Sequence, residues 1–206
     1  MKLEKLINYV GNLPFFDTHL LVQLSGEPKN QTLVQLHQWN QSGQIIRLRR
    51  GLYVLAEHYR KKTLSILQIA NESYRPSYIS EPLALSYYGL IPEKVVLITS
   101  TTTRVTRKFQ NPFGFFTYSN IKETYYWGFV SEKIEETPVW IAEPEKALLD
   151  YFHFNQGEWT KERLEEMRFQ NLDGIDFIKL NAYAQKWDSP RLKRAAANLS
   201  IQASHE

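Results

Sequence analysis

The stretch "QSGQIIRLRRGLYVL", Gln41–Leu55, decides how the first part of this chain folds. Two apolar runs rich in β-branched residues flank Arg47, Arg49 and Arg50, which stand beside Gly51. Such runs on either side of a glycine read as two strands joined by a tight turn at Arg49–Gly51. Alternate side chains of a strand face opposite sides, so Arg47 and Arg49 share one face and Leu48 takes the other. Ile45, Ile46, Leu52 and Val54 then anchor the hairpin, and Arg50 occupies the turn itself.

Upstream lie three helical patterns. In "KLEKLINYVG", Leu3, Leu6, Ile7 and Val10 recur at helical spacing and Gly11 closes the segment. "DTHLLVQLSG" restarts a short helix with Asp17 or Thr18 as its cap and Gly26 at its end. A third helix runs from Asn30 to Gln41, with Leu33, Leu36 and Trp39 as its apolar stripe and Gln31, Gln35 and Gln38 opposite. Three helices followed by a hairpin, in about 55 residues, is the order of a winged helix-turn-helix.

That order gives the arginines a use. A hairpin with an arginine tip suits contact with phosphates or with a narrow minor groove. Asn and Gln on the third helix can pair bidentately with adenine in the major groove. Lys29, Asn30 and Thr32 stand at the helix start, where the helix dipole adds to phosphate attraction. The predicted DNA-binding residues are therefore Lys29, Asn30, Gln31, Thr32, Gln35, Gln38, Arg47, Arg49 and Arg50.

Charge is distributed to match. Residues 1–62 hold nine Lys or Arg against four Asp or Glu, and the remainder holds sixteen against eighteen. A basic first part points to an anionic partner. Two further basic groups, Arg104, Arg107 and Lys108 in "TTTRVTRKF" and Arg191, Lys193 and Arg194 in "PRLKR", could extend that footprint.

From about residue 76 the pattern changes. "SYIS", "KVVLITST", "GFFTYSN", "YYWGFV" and "VWIA" are rich in β-branched and aromatic residues and read as strands. "EPLALSYYG" and "EPEKALLDYF" read as helices with proline in the first turn. The tail is helical, with Phe177, Leu180, Ala184 and Trp187 in one stripe and Ser189 capping a last helix. The expected fold is α+β: a winged helix-turn-helix over 1–60, then a mixed α/β domain with a helical tail over 61–206.

No cysteine is present among the 206 residues, so disulfides and thiolate zinc sites are excluded. No apolar run approaches the length that spans a bilayer, and "MKLEKLINYV" is charged within its apolar pattern, so a cytoplasmic protein is expected. Glycine-rich nucleotide loops and zinc-protease motifs are absent, and His19, His37, His58, His153 and His205 show no ligand spacing. No catalytic residue, metal or cofactor is predicted. Two other readings stay open: an enzyme acting on nucleic acid or nucleotides through Asp150 and His153, and a protein-docking module with an apolar patch around Val34.

Taken in order, "LRRGLYVL", "YISEPLALSYYGLIPE" and "VWIAEPEKALLDYF" resemble the AbiEi antitoxins of abortive-infection type IV toxin–antitoxin systems. The resemblance runs from residue 1 to about residue 154. It implies a winged-helix domain that binds operator DNA and represses its own operon, followed by a C-terminal antitoxin domain. It also implies a nucleotidyltransferase-like toxin as functional partner, countered without a stable complex. The third helix of this chain is richer in amides and poorer in basic residues than a strong operator binder needs.

Overall fold

A computed structural model describes residues 1–204; His205 lies outside the described residues. The chain is mixed α and β, with nine α-helices and two sheets among the described residues and helices at both ends. It divides into two compact units, Met1–Ile69 with Gln110–Phe113, and Ala70–Phe109 with the chain from Gly114 onward. No helix among the described residues is long and apolar enough to cross a membrane.

The first unit runs α1 (Leu3–Val10), β1 (Phe16–Asp17), α2 (Thr18–Ser25), α3 (Lys29–Gln41), β2 (Ile45–Arg49) and β3 (Leu52–Leu55). Its sheet has the order β1-β3-β2, with β3 antiparallel to both neighbours. The two-residue β1, pairing Phe16 with Tyr53, is too short to leave a periodic trace in the sequence. Asp17 ends β1 and caps α2, its carboxylate accepting from Leu20 N at 2.7 Å. Gly26 ends α2 in the left-handed conformation (φ 69°).

The hairpin turns through Arg50 and Gly51, since Arg49 pairs with Leu52. Gly51 holds φ 82°, a conformation that side chains resist. The register shifts between Arg47 and Arg49, and Leu48 points inward at 2% exposure while both arginines stay exposed. Leu6, Val10, Phe16, Leu21, Leu36, Trp39, Ile45, Tyr53 and Leu55 form the core. Truncating a fully buried leucine such as Leu36 to alanine would cost about 2–5 kcal/mol.

The stripe of α3 differs from the expected one. Thr32, Leu36 and Trp39 face inward, whereas Leu33 is 40% exposed. With Trp39 and Leu36 both anchored, the i, i+4, i+7 row falls on Thr32, and Leu33 is rotated a further 100° out.

The second sheet has the strands β4 (Ser77–Ile79), β5 (Ile98–Thr102), β6 (Arg107–Asn111, whose last two residues count with the first unit), β7 (Gly114–Asn120), β8 (Phe129–Ile134) and β9 (Thr137–Ala142), in the order β6-β7-β5-β4-β9-β8. The sheet is mixed: β4 runs antiparallel to β5 and parallel to β9, and β5 runs parallel to β7. The helices of the second unit are α4 (Ile66–Ser73), which crosses from the first unit, α5 (Glu81–Tyr87), α6 (Pro144–Phe154), α7 (Lys161–Met167), α8 (Phe177–Trp187) and α9 (Pro190–Ala203).

Two expected strands are shorter than their composition suggests. "KVVLITST" pairs only from Ile98, leaving Val96 81% exposed. "YYWGFV" begins as a 3-10 turn, Glu123–Tyr125, and pairs only after Gly128, whose φ of 74° breaks the extended run.

Candidate functional site

A groove of about 540 Å³ in the first unit is lined from one side by Lys29, Leu33, His37 and Asn40 of α3, and from the other by Arg47, Arg50, Gly51 and Tyr53. Thr18 and Leu36 complete its lining, which contains no carboxylate. The α3 residues recur at i, i+4, i+8 and i+11, the row of one helix flank. Asn40 fixes the width at one end, its side-chain carbonyl accepting from Arg47 N at 2.9 Å.

Electrostatically the groove is one-signed. Arg47, Arg49, Arg50 and Lys29 are all exposed, and none takes part in an ion pair among the described residues. Arg49 folds back, donating from Nη1 to Arg50 O at 2.9 Å, which fixes its guanidinium against the turn. Lys29 stands in the first turn of α3, where free backbone N–H groups and the helix dipole add positive potential.

The predicted site residues separate into three groups. Lys29, Arg47 and Arg50 line the groove, and Arg49 stands beside Arg50 at the turn. Asn30, Gln31 and Gln38 are exposed on the outer face of α3 around Val34, which is 58% exposed. Gln35 is half-buried and accepts from the Met1 amino group at 2.5 Å. Thr32, expected at the DNA face, is instead buried at 2% exposure, and its hydroxyl donates to Pro28 O at 3.3 Å, so it serves the helix start and the core. Leu33, His37 and Asn40 were missed, although their spacing from Lys29 puts them on its flank.

In the second unit, Asp150 and His153 have different partners. Asp150 is fully buried, ion-paired with Lys146 on the next turn of α6, and accepts from Tyr78 Oη at 2.9 Å and Ser80 Oγ at 2.7 Å. Lys146 also donates to Tyr78 Oη at 3.0 Å and lies over the Trp187 ring. His153 packs on Trp187 and Tyr125, and burial lowers its pKa. Lys146, unremarked in the sequence, makes the structural pair that Asp150 and His153 do not; its i, i+4 spacing to Asp150 was the available signal.

The basic tail is committed internally. Arg191 donates to the carbonyls of Phe152, His153, Asn155 and Gly157 at the end of α6, Arg194 pairs with Glu158, and Lys193 with Asp188. Arg104, by contrast, is exposed and lies over the Tyr74 ring. No family model matches the chain, and no curated protein matches it either.

Proposed function

We propose that this chain is a DNA-binding transcriptional regulator of the AbiEi-antitoxin type. In this reading the first unit is a winged helix-turn-helix, with α3 as recognition helix and the β2–β3 hairpin as wing. The observation that carries it is the groove where Lys29, Arg47 and Arg50 converge without a carboxylate. The element order and the β1-β3-β2 sheet support the same reading. The wing arginines take phosphates, and Asn30, Gln31 and Gln38 on the outer face of α3 meet base edges.

By the family resemblance, the protein represses its own operon in the cytoplasm and counters a nucleotidyltransferase-like toxin without a stable complex. This reading assigns the chain no catalytic site; the partners of Asp150, which are Lys146, Tyr78 and Ser80 and not His153, speak against the suggested acid–base pair.

Binding to the duplex upstream of the gene, measured across a salt series beside a random duplex, tests this. If Lys29, Arg47, Arg49 and Arg50 each neutralise one phosphate, log affinity falls with log salt at a slope near −3.6, about −0.9 per contact. The Arg47/Arg49/Arg50→Ala variant is expected to lose at least about tenfold in affinity and three-quarters of that slope. Equal binding by variant and wild type would overturn the wing. If Val34→Asp abolished capture of a protein partner while DNA binding stayed intact, the docking-module reading would replace it.

A further inference from the structure

We propose that the second unit binds a mononucleotide, its base held by Tyr126, Phe129 and Trp140 and its phosphate by Arg75 and Arg104. The site is a pocket of about 310 Å³, at the small end of the range for ligand cavities and large enough for a base with its sugar. It shares no lining residue with the groove of the first unit.

Three rings shape it. Phe129 and Trp140 meet edge to face with centroids 5.9 Å apart, and Tyr126 tilts against Phe129 at 4.9 Å. Trp140 is 49% exposed, an unusual state for a tryptophan that could pack inward, and it leaves ring surface for a flat heterocycle to stack on. Its backbone is pinned on both sides by Asn71, which accepts from Trp140 N at 2.7 Å and donates to Trp140 O at 3.2 Å. The backbone that carries the ring is therefore fixed before any ligand arrives.

Polar groups mark the rest of the pocket. Ser77 lines it, and its buried hydroxyl has no hydrogen-bond partner among the described residues. Glu72 and Arg75 form an ion pair at the rim, with Arg75 69% exposed. Arg104 lies outside the pocket lining but donates from Nη1 to Arg75 O at 3.2 Å, which sets a second guanidinium beside the backbone of that rim residue, and Arg107 lies over the Tyr74 ring. No carboxylate pairs with Arg104, Arg107 or Lys108 among the described residues. An apolar aromatic slot with Arg75 at its rim, held there by an ion pair on a largely exposed guanidinium that a phosphate can displace, and with Arg104 paired to no carboxylate among the described residues, matches a ligand with one π-face and one anion, which is the chemistry of a nucleotide.

Titration calorimetry of the full chain with AMP, GMP, CMP and UMP, beside adenosine and inorganic phosphate, tests the site. At least one mononucleotide is expected to bind with a Kd at or below about 1 mM. Trp140→Ala should weaken that binding by about tenfold or more, and Arg104→Ala by about fivefold, with adenosine unaffected by the second change. Arg104 is exposed, so its variant reports even if Trp140→Ala fails to fold. The Arg47/Arg49/Arg50→Ala variant should bind the nucleotide as wild type does, which separates this site from the DNA groove. Failure of all four nucleotides to bind, equal binding of phosphate alone, or an unchanged Trp140→Ala protein would overturn the proposal.

Discussion

Glu81 opens α5 at φ 59° with its carboxylate Oε1 buried and without a hydrogen-bond partner among the described residues. Burial pushes its pKa up to about 7; a hydrogen bond from Ser119 works against this and the charge of Asp150 adds to it. The folded chain then holds a proton that the unfolded chain has released between the ordinary carboxyl range and about pH 7. Stability contributed by this group is full below that window and falls as pH rises through it, by at most about 3 kcal/mol. Urea midpoints of Glu81→Gln should therefore lose this pH slope, and an unchanged slope would assign it elsewhere. Asp150 works differently. Removing it in Asp150→Ala leaves Lys146 charged and uncompensated at 0% exposure, with an expected loss of about 3–5 kcal/mol in denaturant unfolding.

At the scale of elements, the β8–β9 hairpin carries a local conflict. Ile134 pairs with Thr137, so Glu135 and Glu136 form a two-residue turn, with φ of 48° and 64°. Both central residues of such a turn sit in the left-handed region, which favours Asn-Gly over two glutamates. The Lys133–Glu136 ion pair is exposed and offsets little of this. Glu135→Asn with Glu136→Gly is expected to stabilise the protein by about 1–2 kcal/mol, read as a raised Tm. Helix α3 shows how sequence reading fails at this scale. Its existence and length were legible, but its rotation was not, because Leu33 and Thr32 are adjacent and either could complete a stripe with Leu36 and Trp39. The amide-rich face then proved to be the outer one, and the groove fell to the flank carrying Lys29, His37 and Asn40.

For the whole molecule, the surplus of basic residues in the first part coincides with a compact unit that has its own core. Two cores in one chain predict unfolding that departs from a single two-state transition. Calorimetric enthalpy should exceed the van't Hoff value, and a ratio of one would mean that both units unfold together. The sequence by itself determined the helices of the first unit, the arginine hairpin and its inward Leu48, and the proline-started α5 and α6, because these rest on period, caps and turn residues within a few positions of one another. Only tertiary structure decided that Thr32 is core, that Asp150 belongs to Lys146, and that Tyr126, Phe129 and Trp140 gather beside Arg75. Those outcomes depend on which faces meet across the sheet and on how far each helix is rotated about its axis. Both are settled by the simultaneous burial of residues tens of positions apart, which no local pattern encodes.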